Sequence, residues 1–162
     1  MYESYHVRVA KDDLVFSAGH FITFGDVCER LHGHNFRVTA DVHAKLDDNH
    51  YVIDFILLHD LLRTILRELD HRVLLPTEHS KIRVVADERS VEATYEDRRW
   101  VFPREDCALL SVPNTTSEML ARWIGGRLVA AIVERVGIQP RRVIVSVDEC
   151  FGQWGICELS VD

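Results

Sequence analysis

The stretch Cys28-Glu29-Arg30-Leu31-His32-Gly33-His34-Asn35-Phe36-Arg37-Val38-Thr39-Ala40-Asp41-Val42-His43 decides both the fold and the position of its chemistry. From Phe36 onward the residues alternate. Phe36, Val38, Ala40 and Val42 fall on one side, and Arg37, Thr39, Asp41 and His43 on the other. That pattern predicts a strand over 34–46, half-buried in an antiparallel sheet. Continued backward with the same period, His32 and His34 share a face. His20, at the end of an earlier strand-like segment, can close a three-nitrogen face with them. Three imidazoles leave one position of a tetrahedral zinc open, as a catalytic site requires and a structural one does not. Cys28, four residues before His32, brings a thiol close to that metal. A lone cysteine is more often an inert buried thiol, but a neighbouring cation favours the thiolate.

The chain of 162 residues fits one domain, 1–162, with a real core. Hydrophobic residues at 47% and charged residues at 28% place it among soluble globular proteins. Its apolar runs are interrupted by charge well short of the roughly 18 residues of a membrane span, so no membrane partner is expected. The start, Met1-Tyr2-Glu3-Ser4-Tyr5-His6, lacks a basic flank and an apolar run, and no secretory signal is expected. Cys28, Cys107, Cys150 and Cys157 lack CxxC spacing, which argues for reduced thiols and a cytoplasmic setting. A net charge of −7 without a lysine or arginine block argues against a nucleic-acid surface. It leaves room for a small anionic substrate held by local arginines and a metal.

Residues 5–17 alternate loosely and predict a first strand. From Asp54, a candidate N-cap, the period becomes helical through Phe55, Leu58, Leu61, Leu62, Ile65 and Leu69. Between 72 and 112, Lys81–Val85, Val91–Tyr95 and Arg99–Phe102 predict short strands joined by charged turns. A second helix starts near Thr115, which has capping-box spacing to Glu118. It continues through Met119, Leu120, Trp123, Ile124, Leu128, Ala131 and Ile132 and ends at Gly137. Arg142–Asp148 and Trp154–Val161 predict two closing strands. The result is an α+β domain of order β-β-α-α-β-β, with a small β insertion around 79–110. Two helices cannot cover the edges of a four-stranded sheet, and free edges favour self-association into a homo-oligomer.

His20 in Phe16-Ser17-Ala18-Gly19-His20, followed by Cys28-x-x-x-His32-Gly33-His34-Asn35, resembles the 6-pyruvoyltetrahydropterin synthase and 6-carboxytetrahydropterin synthase family. Val52-Ile53-Asp54-Phe55, Leu69-Asp70-His71, Thr116-Ser117-Glu118 and Glu149 follow in the family's order, and only about 79–110 lies outside the likeness. The resemblance implies the tunnelling fold, a four-stranded antiparallel sheet with two helices on one face, and a hexamer built as a dimer of trimers. It implies Zn2+ on His20, His32 and His34, with Cys28 as the general base. It implies that Asp70 orients His71, which exchanges protons and reaches the site from a neighbouring subunit. Glu149 would anchor the substrate, a carboxylate accepting two parallel hydrogen bonds from a guanine-like ring. Thr116, Ser117 and Glu118 would add hydroxyls and backbone N–H groups, or serve as a plain helix cap.

The implied reaction is zinc-dependent carbon–oxygen lysis of 7,8-dihydroneopterin triphosphate. The implied product is 6-carboxy-5,6,7,8-tetrahydropterin, a 7-deazaguanine precursor on the way to queuosine, or 6-pyruvoyltetrahydropterin. Glu29, three residues before His32, also resembles relatives that cleave the side chain for folate synthesis. The family usually carries threonine after the anchoring glutamate and alanine-x-tyrosine further on. This chain has Cys150 and Gly155-Ile156-Cys157, which keeps open a zinc-containing pterin-binding module without turnover. A metal-stabilised structural protein is the blandest alternative. The insertion covers the site, decorates an oligomer rim, or binds phosphate through Arg83, Arg98 or Arg99. His6, His43, His50, His59 and His79 are expected to be solvated, and Cys107, Cys150 and Cys157 to be packing residues.

Overall fold

The computed structural model describes residues 1–161. The first half of the chain forms β1 (His6–Val9), β2 (Val15–His20), β3 (Thr23–Phe24), β4 (Val27–Cys28), β5 (His32–His43) and α1 (Phe55–Arg67). Then come β6 (Arg72–Pro76), β7 (Arg83–Ala86), β8 (Ser90–Tyr95), β9 (Arg98–Pro103) and β10 (Cys107–Leu110). The chain closes with α2 (Ser117–Val136), β11 (Arg142–Cys150) and β12 (Gln153–Ser160). The expected α+β order holds, and among the described residues no helix is long and apolar enough to cross a membrane.

The sheet is larger than the four strands expected. It has seven, in the order β10-β6-β2-β5-β11-β12, with β1 also paired to β5. The four long strands β2, β5, β11 and β12 are antiparallel, whereas β6 joins β2 and β10 joins β6 in parallel. The predicted first strand is two, because Lys11–Leu14 turns the chain between β1 and β2. Phe16, Phe36, Val38, Ala40, Val42, Val143, Val145 and Val147 fill one face of the sheet and are buried. Leu58, Leu62, Ile65 and Leu66 of α1 and Leu120, Ala121, Ile124, Leu128 and Ile132 of α2 pack on the same core. Those spacings of three and four place each set on one helical stripe. Phe55 departs from the expected stripe and is exposed together with Ile56. Asp41 departs as well: it is buried opposite β1, where Arg8 Nε donates to it at 2.7 Å.

Asp54 caps α1 as expected, its Oδ1 accepting from Leu57 N–H at 2.8 Å. The cap of α2 is Thr116 rather than Thr115: Thr116 Oγ1 accepts from Met119 N–H at 3.4 Å. Gly137 ends α2 in the left-handed region at φ 73°, where a Cβ is costly. Asp70 and His71 lie beyond α1, which ends at Arg67, and His71 has φ 57°. His71 is therefore a turn residue held by the tertiary structure, and not a helix-terminal cation.

The insertion is a three-stranded meander, β7-β8-β9. Val91, Ala93 and Tyr95 of β8 build a second core with Ile82, Phe21, Cys28, Leu75 and Cys107. Cys107 thus packs as expected, as does Cys157, partly buried against the first core; Cys150 is exposed. His79 is not a solvated side chain. Its Nδ1 accepts from Lys81 N–H at 2.9 Å and Ile82 N–H at 2.8 Å, so Nε2 carries the proton and donates to Thr23 Oγ1 at 2.6 Å.

The start of α2 rests directly on β12. A Cβ on Gly155 would sit 2.5 Å from Glu118 N and 2.5 Å from Ser117 C, both backbone atoms of the helix start. The departure from the family pattern at Gly155 is therefore a packing requirement here. Gly155→Ala is expected to destabilise the protein by about 2 kcal/mol or more, since the helix backbone must shift. Urea unfolding reads this as a lower midpoint with an unchanged slope.

Candidate metal centre and active site

The antiparallel register of β2 and β5 brings the histidines together. His20 lies opposite His32, Gly19 opposite Gly33, and Ala18 opposite His34. By the two-residue period, His20, His32 and His34 share the face of Phe16 and Phe36. The ring centroids lie 4.8 Å (His20–His32), 5.3 Å (His20–His34) and 4.9 Å (His32–His34) apart. Phe36 lies beneath, edge-on to His20 at 5.5 Å and to His34 at 5.4 Å.

Second partners orient the rings. His20 Nδ1 donates to the Thr115 carbonyl at 2.9 Å, and His32 Nδ1 donates to the Arg30 carbonyl at 2.8 Å. An imidazole whose Nδ1–H is committed to a carbonyl presents a lone pair at Nε2, the form that ligates a metal. Burial pushes the His20 imidazolium down, against the Thr115 carbonyl and Glu149, which keeps the ring neutral. Glu149 Oε1 stands 3.1 Å from His20 Nε2 and 3.2 Å from His34 Nε2. Neither nitrogen makes a hydrogen bond there, although both are buried. The His20 lone pair facing a carboxylate is repelled, and a cation between them removes that conflict. The ligand atoms of His20, His32, His34 and Glu149 all lie within 4.8 Å of one another, and no other such group occurs among the described residues. The donor set of imidazoles plus carboxylate fits a divalent metal of the zinc type.

Glu149 owes its direction to a β-bulge. The pairing of β11 with β12 shifts register between Asp148 and Cys150, which leaves Glu149 outside the ladder. Asp148 anchors the bulge and the following turn. It accepts from Arg37 Nε at 3.1 Å, from Arg37 Nη2, from Gly152 N–H at 3.2 Å and from Gln153 N–H at 3.1 Å. Burial would raise this carboxyl, but Arg37 and the two N–H groups outweigh it and hold it below the ordinary carboxylate range. Asp148 drew no attention as a sequence feature, because an acid before a turn is common.

Cys28 and Glu29 flank the histidine group differently. Cys28 is turned into the second core, its thiol weakly bonded to the Glu29 carbonyl at 3.7 Å. Burial pushes the thiol up, and Arg98 opposes that shift. Glu29 Oε2 instead stands 3.9 Å from His32 Nε2. Arg98 spans both residues, its Nη1 donating to the Cys28 carbonyl at 2.6 Å and its Nη2 to the Glu29 carbonyl at 3.1 Å. Arg99 pairs with Glu92. These contacts occupy two of the three arginines considered for phosphate.

Asp70 and His71 are not gathered into this group. Asp70 Oδ1 accepts from Ser17 N–H at 2.8 Å, Ser17 O accepts from His71 N–H at 2.6 Å, and Asp70 Oδ2 stands 3.0 Å from His71 Nδ1. Burial would raise Asp70, but the Ser17 N–H and His71 hold it down. The His71 ring is 83% exposed and lines an open cleft of ≈ 600 Å³ with Ser17, Gly19, Gly33, His34 and Asn35. Ser17, Gly19, Gly33 and Asn35 alternate with the histidines and belong to the opposite sheet face, and His34 borders the cleft as well as the metal group. At the helix start, Thr116 is committed to the cap, Ser117 Oγ is buried without a partner, and Glu118 is exposed. Thr115, whose carbonyl orients His20, escaped sequence reasoning: a backbone acceptor has no residue-type signal.

Residues 9–158 match the family model described as 6-pyruvoyl tetrahydropterin synthase. A Methanocaldococcus jannaschii protein named putative 6-carboxy-5,6,7,8-tetrahydropterin synthase is 30% identical, over 89% of this chain and 88% of its own. A Pyrococcus abyssi protein of the same name is 31% identical, over 83% of this chain and 79% of its own. Among solved structures, 6-pyruvoyl tetrahydropterin synthase from Plasmodium vivax superposes with a TM-score of 0.89 at 24% identity, covering 99% of this chain and 100% of its own. The Plasmodium falciparum protein gives 0.87 at 25% identity with the same coverage. Variants of the P. vivax protein replace a glutamate named as a catalytic residue. The chain belongs to the 6-pyruvoyl tetrahydropterin synthase family and has its fold.

If the three imidazoles form one metal site with Glu149 beside it, His34→Ala removes a ligand without touching the core. Metal analysis after dialysis is expected to fall from about one zinc per chain to a small fraction. The far-ultraviolet dichroism should match that of the metal-stripped parent.

Proposed function

We propose that this family member is a zinc-dependent carbon–oxygen lyase acting on 7,8-dihydroneopterin triphosphate. The proposed products are 6-carboxy-5,6,7,8-tetrahydropterin, triphosphate and acetaldehyde, with water consumed. The observation that carries the reading is the set of buried, unpartnered Nε2 atoms of His20 and His34, aimed at one point with His32 and with Glu29 alongside. The archaeal relatives' names favour the carboxy product over 6-pyruvoyltetrahydropterin. Zinc held by His20, His32 and His34 would supply a Lewis acid for the side-chain hydroxyls of the substrate.

The chain's own residues take the remaining roles. Glu149 accepts from the ring N–H and amino groups of the pterin, and its place at the histidines sets the ring beside the metal. The unpartnered Ser117 Oγ gives the same ring a hydroxyl, and Thr116 and Glu118 border it at the helix start. Cys28 removes the side-chain proton. Asp70 fixes the orientation of His71, which returns a proton at its ring nitrogen. Because His71 is exposed on the opposite face, it serves the site of a neighbouring copy. That arrangement makes the enzyme a homo-oligomer.

A second reading gives the base role to Glu29. Its carboxylate stands 3.9 Å from His32 Nε2 while the Cys28 thiol is turned into the second core. The catalytic glutamate of the P. vivax protein points the same way. The reaction would then be cleavage of a side-chain carbon–carbon bond, giving 6-hydroxymethyl-dihydropterin and a two-carbon aldehyde that keeps the triphosphate.

Incubating the zinc-loaded protein with dihydroneopterin triphosphate and identifying products by mass spectrometry separates these readings. The first expects carboxypterin with acetaldehyde, lost by at least about a hundredfold in Cys28→Ala and largely kept in Glu29→Gln. The second expects hydroxymethyl-dihydropterin with the two variants reversed. Formation of neither carboxypterin nor hydroxymethyl-dihydropterin would sink both and leave a pterin-binding module.

A further inference from the structure

We infer that Arg98 is a positioning residue, and that the β7-β8-β9 insertion exists to hold the Cys28–Glu29 turn in place beside the histidine group. The base role of that turn rests on the function proposed above; the clamp rests on geometry alone. One guanidinium donates to two adjacent carbonyls, Cys28 O at 2.6 Å and Glu29 O at 3.1 Å. A planar fork of fixed N–H directions sets the relative orientation of two peptide groups, which a point charge such as lysine cannot do. Further contacts hold the fork itself. Arg98 lies over the Trp100 ring at 4.6 Å, and Trp100 stacks on Phe21 at 4.4 Å and 17°. Phe21 follows His20, so the metal-facing strand and the base-bearing turn are tied through the same insertion residues.

The insertion grips the hairpin elsewhere too. Tyr95 Oη donates to the Asp26 carbonyl at 2.9 Å, and Lys81 pairs with the Asp26 carboxylate. The β3–β4 hairpin has only two residues per strand, so its own ladder cannot define the exit of Cys28 and Glu29. The two carbonyls held by Arg98 belong to the two candidate bases, and the clamp therefore serves whichever one removes the proton. Its charge also lies where it favours a Cys28 thiolate, against burial.

The test uses the full-length zinc-loaded protein with Arg98→Ala, Arg98→Lys and, as a control from the same strand, Arg99→Ala. Three quantities are read: kcat and KM with dihydroneopterin triphosphate, zinc content, and the pH profile of Cys28 alkylation resolved by peptide mass spectrometry. Arg98→Ala should lower kcat about tenfold or more with KM within roughly twofold and zinc retained. Its Cys28 alkylation midpoint should rise by roughly half a pH unit or more. Arg98→Lys should restore the alkylation midpoint but only part of kcat, and Arg99→Ala should leave all three unchanged. A wild-type kcat and alkylation profile in Arg98→Ala would overturn the inference, as would an equal loss in Arg99→Ala. If Arg98→Ala does not fold, a fully active Arg98→Lys overturns it instead. If the parent protein does not turn over the pterin, the proposed function fails and the alkylation profile alone decides the role of Arg98.

Discussion

His20 is fully buried, and its Nδ1–H is committed to the carbonyl of Thr115. That one hydrogen bond joins the end of β2 to the residue before the cap of α2, and it forces the Nε2 lone pair toward His32, His34 and Glu149. A buried polar atom without a partner costs roughly 1–3 kcal/mol. The fold carries such atoms on both His20 and His34. A protein with no use for a cation gains nothing from this arrangement, and an apolar residue at position 20 would pack more easily. The conflict is local and is relieved by a metal, so the second core, the bulge and the helix start can be understood as the frame that keeps these lone pairs converging.

The frame is assembled from simple devices. Pairing β2 with β5 supplies the three imidazoles, because a two-residue period and one antiparallel register are enough to bring them together. A single register shift in β11 turns Glu149 toward them, and Asp148 with Arg37 fixes the following turn. The N-terminus of α2 lies against Gly155 at backbone distance, which brings Ser117 close to the same end of the sheet. Outside this frame, Asp70 and His71 are tied to Ser17 on the opposite face.

Features set by local patterns could be read from the sequence, and features set by tertiary contacts could not. The alternation from Phe36 to Val42, the face shared by His32 and His34, the Asp54 cap and the Gly137 stop each follow from neighbours in the chain. The parallel strands β6 and β10 do not, because their partners lie far away and their short apolar runs have no distinct period. Capping-box spacing to Glu118 favours Thr115 over Thr116 as the cap. In the fold, Thr115 is buried: its hydroxyl donates to Phe21 O at 3.3 Å and its carbonyl accepts from His20, leaving the cap to its neighbour. Arg98 looked like one of several surface arginines, since nothing local marks a side chain that reaches back about 70 residues to Cys28.

The most direct test of the central claim is X-ray absorption spectroscopy at the zinc edge of the loaded protein. With the metal held by His20, His32 and His34 and the Cys28 thiol free, only nitrogen and oxygen scatterers should appear, at about 2.0–2.2 Å, with the multiple-scattering pattern of imidazole rings. A sulfur shell at about 2.3 Å would contradict the account, because it would make Cys28 a ligand and leave no free thiol to act on the substrate.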